Sequence, residues 1–323
     1  MALLPVLPSC QAVVEQSQFV YIDPTAISYF LDTNAALKIP PLPQGPAPYH
    51  YFDSTAVTVQ WLLVLDTLNH CFWSEVDSPL WEIHYENEKL SGYWALAASL
   101  KRAMEEGIPL LEAKTLATLK RDTLVHIFRG SGKIPLFDER LENLRQVGKV
   151  LLDRFQGSFI YALEEARGSA VKLVLLLADE FPSFNDTANY HGKTVYFFKR
   201  AQLLVQDLWC TFSGTSWGNF HDLDQLTAFA DYKLPQVLRH LEIIRYESKL
   251  AAQIQRLARI LPGSAEEVEI RAATIWAVEL LRQELERRGQ KVNSAQLDSW
   301  LWHLGQNDLY RSLPYHRTRT IFY

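Results

Sequence analysis

Asp231 lies in the stretch Phe229-Ala230-Asp231-Tyr232-Lys233-Leu234-Pro235-Gln236. A carboxylate held among aromatic rings can stabilise a developing cation, orient water or attack a carbon. The same position, shortly before a proline that suits the first turn of a helix, also fits an ordinary helix cap. Two readings therefore stand: a cap, or a carboxylate projecting into a pocket walled by Phe229 or Tyr232. In Tyr196-Phe197-Phe198-Lys199-Arg200-Ala201-Gln202, helical spacing puts Phe198 near Gln202 with Lys199 beside them. Its two cations read either as snorkelling surface groups or as a partner reaching inward to Asp231 or to a substrate phosphate. In Asp66–Glu75, Asn69 and Trp73 fall on adjacent turns of one face. An amide beside a large aromatic suits a planar heterocycle, and equally an ordinary core.

These residues need a scaffold, and most of the chain reads as helix. Ser54–Phe72 places Val57, Trp61, Leu65, Leu68 and Phe72 on one face, with Ser54 as N-cap. A second strong pattern starts at Ser264, where Ser264 and Glu267 fit a capping box and Gly289 fits the stop. Further helices are expected over Tyr93–Glu106, Glu139–Phe155, Ala170–Glu180, Tyr196–Phe212, Leu234–Leu261 and Ser294–Leu304. Strand signals are few: a hairpin over Trp81–Leu90 around the turn Glu86-Asn87-Glu88-Lys89, and a second near Gly192–Val195. Pro40–Pro48 reads as an extended connector. The expected fold class is mainly α with one or two small β-hairpins. Residues 1–323 are expected to form one helical unit, or two packed helical lobes with the site between them.

Bulk composition narrows the function classes. The 323 residues are 48% hydrophobic and 21% charged, with a net charge of -5. That balance is ordinary for a globular protein, and no basic stripe is present of the kind that grips a polynucleotide. A nucleic-acid partner is disfavoured; a small anionic substrate is not. Cys10, Cys71 and Cys210 are far apart and odd in number, which argues against a disulfide framework or zinc site and for free thiols. No apolar run reaches the roughly 18 residues of a membrane span, and Met1–Pro8 lacks a basic leader. We expect a cytoplasmic monomer with no membrane partner, no metal and no cofactor.

Familiar motifs fail. Gly130-Ser131-Gly132-Lys133 ends like a phosphate loop, but the pattern needs glycine at 127 and Ser or Thr at 134, where Ile127 and Ile134 stand. There is no Gly-x-Gly-x-x-Gly, His-Glu-x-x-His or Gly-x-Ser-x-Gly. Lone histidines such as His240 read as surface or core residues rather than ligands.

Taken together, DTLNHCFWSE (Asp66–Glu75), SGYW (Ser91–Trp94), RAMEEGIP (Arg102–Pro109), Gly148–Phe159, KRAQ (Lys199–Gln202), FADYKLPQ (Phe229–Gln236), EVEIR (Glu267–Arg271) and YHRTRTIFY (Tyr315–Tyr323) resemble the queuosine salvage proteins, or queuosine 5′-phosphate N-glycosidases. The resemblance runs through nearly the whole chain. It implies a helical fold akin to the helical DNA glycosylases. It also implies hydrolysis of queuosine 5′-monophosphate to queuine and ribose 5-phosphate, feeding queuine back to tRNA modification. The family's essential carboxylate maps to Asp231 and its conspicuous lysine to Lys199. The sequence departs from the expected pattern at His70 and His303, which puts those two positions, but not Asp231 or Lys199, in doubt.

That chemistry passes through a ribosyl cation, which a carboxylate below the anomeric carbon stabilises. Queuine has carbon at position 7, so the protonation route of ordinary purines is closed, and the base must be stabilised along its six-membered-ring edge. Asp298 is the candidate for that edge, Phe229 and Trp302 for stacking, His50 for a polar contact and Asn69 for base reading, although Asp66 and Asn69 also suit a helix brace. Lys199 would serve the 5′-phosphate or hold Asp231 ionised. His316, Arg317 and Arg319 offer further donors. Two rivals remain: a DNA-repair glycosylase, which calls for a basic groove and a glycine-rich hairpin turn, and a non-catalytic helical interaction module, which calls for a solvent-exposed Asp231.

Overall fold

The computed structural model describes residues 3–323. Among them, fourteen α-helices and three two-stranded antiparallel sheets form the regular structure, a mainly α fold with small hairpins. The chain divides into two compact units. One holds the described residues through Leu42, Asp186–Gln202 and Asp222–Arg319; the other holds Pro43–Asn185, Leu203–His221 and Thr320–Tyr323. No described helix is long and apolar enough to cross a membrane.

The first unit is organised by the helix Ala265–Arg287. Ser264 Oγ accepts the Glu267 N–H, and Glu266 and Glu267 place negative charge in the first turn, where the helix dipole favours it. The expected capping box forms only by half: the Glu267 carboxylate accepts the Gly263 N–H at 3.0 Å instead of reaching back to Ser264. Gly289 takes the left-handed stop at φ 86°. Ile270, Ala273, Ala277, Leu281 and Leu285 of this helix join Leu234, Val237, Leu297 and Leu301 in one apolar core. Buried Glu269 adds a polar tie, one oxygen accepting the N–H groups of Gln18, Phe19 and Val20 at 3.0, 2.7 and 3.1 Å.

One expectation fails here. Leu234–Leu261 is not a single helix: Lys233–His240 ends, Ile244–Tyr246 forms a strand against Val20–Ile22, and a new helix runs over Ser248–Gln255. Glu242 makes the break by adopting φ 58°, and Glu247 restarts the helix by accepting the Lys249 and Leu250 N–H groups. The hairpin expected near Gly192–Val195 pairs Thr187–Tyr190 with Lys193–Tyr196. His191 and Gly192, at φ 50° and 79°, supply the tight turn. The following helix starts at Lys199, not Tyr196, because Tyr196 completes the hairpin.

In the second unit the helix expected over Ser54–Phe72 runs over Ala56–Leu68 and is capped by Thr55, not Ser54. Ser54 is left-handed at φ 58° and cannot cap there. From Thr58 to Leu68 every residue is buried, so the helix is a core element rather than a surface one. Its last carbonyl, Leu68 O, and those of His70 and Cys71 just beyond it are taken by buried Arg140, the Cys71 bond at 3.0 Å. The hairpin Glu82–Tyr85 with Glu88–Ser91 turns at Glu86 and Asn87, both left-handed. Residues 40–48 carry no helix or strand. Cys10 and Cys71 are buried and Cys210 half-buried, all as free thiols.

Candidate active site

Gln202 and Thr227 fix the backbone leading to Asp231. Gln202 Nε2 donates to Phe197 O at 2.9 Å and to Thr227 Oγ1 at 3.0 Å, and Gln202 Oε1 accepts the Thr227 N–H at 2.8 Å. Two residues on, the Phe229 N–H donates to Asp298 Oδ1 at 2.7 Å. Asp231 Oδ1 then accepts the N–H groups of Lys233 at 2.7 Å and Leu234 at 3.0 Å, opening the Lys233–His240 helix. The cap geometry is therefore real, but it uses one oxygen. Oδ2 takes no hydrogen bond from any described residue, and the side chain belongs to a residue only 9% exposed. An interaction module would leave this residue open to solvent. Here the same carboxylate can cap the helix through Oδ1 and present Oδ2 to a ligand.

Lys199 opens the Lys199–Thr211 helix and is buried. Asp298, in the Ser294–Leu304 helix, is also buried. Burial pushes its carboxyl well above the usual carboxylate range. The Phe229 N–H opposes that shift, the negative Asp231 adds to it, and Lys199 opposes it. Asp298 thus lies near enough to both Asp231 and Lys199 to respond to their charges. Trp302 stands four residues after Asp298, half-buried against the apolar core. Tyr232 lies 4.9 Å from the Tyr315 ring, and the Lys233 ammonium 5.5 Å from that same ring. His316 is buried and held neutral, its pKa pushed down to about 3 by burial and by Arg271. Arg317 is half-buried, and its carbonyl accepts the Ile260 N–H at 2.8 Å.

His50, Asn69 and Trp73 belong to the other unit and are all buried there. His50 Nε2 lies 2.6 Å from the Tyr93 hydroxyl, and its ring sits 4.7 Å from Trp61. Burial drives its pKa down to about 3. Asn69 Nδ2 donates to Asp66 Oδ1 at 3.2 Å, the brace that the sequence left open for this pair. At the two departing positions, His70 is buried and His303 exposed, with His303 Nδ1 2.7 Å from Ser299 O.

Two residues beside the site were not anticipated. Arg271 donates to Asp186 through both terminal nitrogens, at 2.8 and 2.6 Å, and through Nε to Ala230 O at 3.3 Å. Asp186 Oδ2 also accepts the Lys199 N–H at 3.1 Å. Arg271 closes the EVEIR block, which gave a signal of sorts. Asp186, in Asn185-Asp186-Thr187, looks in sequence like any turn residue.

Comparison with known proteins is consistent along the chain. A family model described as queuosine salvage protein matches residues 49–323. A Sphaerobacter thermophilus protein named queuosine 5′-phosphate N-glycosylase/hydrolase is 50% identical over 320 residues, covering 99% of this chain and 98% of its own. A Bos taurus protein of the same name is 35% identical over 342 residues, covering 99% of each chain. A Mus musculus one is 38% identical over 274 residues, covering 81% of each.

Proposed function

We propose, because this chain belongs to the queuosine salvage protein family, that it hydrolyses the N-glycosidic bond of queuosine 5′-monophosphate to queuine and ribose 5-phosphate, returning queuine for tRNA modification. The observation that carries the reading is the divided Asp231 carboxylate. Oδ1 is held by two N–H groups of a helix start, while Oδ2 is not engaged by any described residue. A charge fixed by the backbone needs no reorganisation as the ribosyl cation develops, which is the condition for strong electrostatic stabilisation. In the reaction, the bond from the anomeric carbon to the base breaks, a bond to an oxygen forms, and one water is consumed. Asp231 Oδ2 either attacks that carbon or takes the proton of the attacking water.

The departing base must gain a proton without a nitrogen at position 7. Asp298 supports that step, since burial makes it hold its proton far more tightly than an ordinary aspartate. It would give the proton to the ring edge as the base leaves, and the carboxylate so formed would pair with the base's N–H groups. We assign Lys199 to the same centre, where its charge favours the ionised form of Asp298. Phe229 and Trp302 are assigned to stacking on the base, with Tyr232 at the pocket wall. His50, Asn69 and Trp73 lie in the other unit, and we assign them no contact with the base. The 5′-phosphate falls to Arg317, with His316 as a neutral hydrogen-bond donor, because a buried neutral imidazole brings no charge.

The test is incubation with queuosine 5′-monophosphate and chromatography for queuine and ribose 5-phosphate, beside Asp231→Asn. Equimolar release by the wild type alone supports the reading. Release by both proteins contradicts the role of Asp231, and release by neither contradicts the activity.

A further inference from the structure

We propose that the buried Arg271–Asp186 pair is a positioning clamp that sets the separation of Lys199 from Asp231. Naming those two as the reacting groups rests on the functional reading above; the clamp geometry does not. Arg271 projects from the Ala265–Arg287 helix, and its guanidinium lies 3.9 Å from the Phe197 ring centroid. Two arms leave it. Through Nε it holds Ala230 O at 3.3 Å, one residue before Asp231. Through both terminal nitrogens it holds Asp186, whose Oδ2 takes the Lys199 N–H at 3.1 Å. The Asp186 carbonyl adds the N–H groups of Phe197 and Phe198 at 3.0 and 3.2 Å. The chain needs that hold, because Phe198 enters the Lys199 helix from a left-handed conformation at φ 50°.

Fold stability alone does not call for such a pair. Burying two charges is expensive, and a well-packed apolar pair of similar volume often stabilises a fold as well or better. An apolar pair cannot hydrogen-bond two separate stretches of backbone. A guanidinium can, because its donors form a rigid planar fork. Lysine at the same place keeps the charge and loses the fork. Other groups that face Arg271 are Glu267, whose Oε1 lies 3.8 Å from Nε, together with Cys10 and His316, whose ionisation it influences.

The experiment uses the full chain with Arg271→Lys and Asp186→Asn, and with Arg282→Lys as a control on the solvent side of the same helix. Steady-state kinetics on queuosine 5′-monophosphate are run beside hydrogen–deuterium exchange over residues 197–203 and 229–236. Misplacing a reacting group by about 1 Å can cost roughly 10²-fold in rate. For Arg271→Lys the expected kcat loss is therefore about 10²-fold, with KM within about threefold and faster exchange in both segments. Asp186→Asn keeps one acceptor for the Lys199 N–H and is expected to lose less rate, in the same direction. Arg282→Lys changes neither readout. A kcat within about twofold of wild type, or faster exchange in only one segment or in neither, overturns the clamp. If the wild type releases no queuine, the functional reading fails on its own, and the exchange data still decide whether one guanidinium holds both segments.

Discussion

Asp298 Oδ1 accepts the Phe229 N–H at 2.7 Å, so the Ser294–Leu304 helix grips the backbone two residues before Asp231. Asp231 and Asp298 are thereby tied to one short stretch of backbone, and burial raises the Asp298 carboxyl well above the usual carboxylate range.

Asp298→Asn should make the protein more stable and less active. Asparagine keeps an oxygen for the Phe229 N–H but removes the group that burial penalises. Because the folded pKa of Asp298 lies above its unfolded value, the folded state binds the proton more tightly. The wild type then loses stability as pH rises from the ordinary carboxylate range toward that folded pKa. Thermal melts should show the variant ahead by a few degrees around pH 8, with the gap closing near about pH 4. Its kcat should fall by about 10²-fold. A variant less stable than wild type at neutral pH would remove the argument from burial.

Gln202→Leu should loosen the approach to Asp231. The change leaves the Thr227 N–H and Phe197 O without the partner they now have at 2.8 and 2.9 Å. Each buried orphan costs about 1–3 kcal/mol, so urea unfolding should show a loss of about 2–6 kcal/mol. A loss below about 0.5 kcal/mol would mean that water replaces both bonds without penalty.

How much of this was legible depended on range. Ser264, Gly289 and the polar turn at Glu86-Asn87 are local signals, and the structure uses all three. The helices Ala170–Glu180 and Ser294–Leu304 have the bounds that periodicity gives. By contrast, Val20–Ile22 and Ile244–Tyr246 are three-residue strands that pair across most of the chain, too short for alternation to register. The helix break before Ile244 falls on Glu242 at φ 58°, where no glycine marks it. At the site, the blocks around Asp231 and Lys199 stand out in one dimension. The contact of Arg271 with Asp186 joins positions 85 residues apart and carries no local pattern.

Acid should destabilise the fold through its buried histidines. His50 and His316 are held neutral, each with a pKa near 3. A depressed folded pKa gives stability that is present above the unfolded value of about 6.5 and lost as pH falls toward the folded one. Each should cost about 2 kcal/mol between pH 7 and pH 5. Urea unfolding of His316→Gln at the two pH values should therefore show a smaller pH loss than wild type, by about that amount. An identical pH loss in the two proteins would show that His316 takes up its proton without unfolding.

The most direct test of the mechanism is the single-turnover rate of queuosine 5′-monophosphate cleavage by Asp231→Asn. Asparagine retains an oxygen for the Lys233 and Leu234 N–H groups, so the helix start is kept while the negative charge is lost. The expected result is a rate about 10³-fold below wild type with queuine affinity within about threefold. A rate within about tenfold of wild type would mean that some other group stabilises the ribosyl cation.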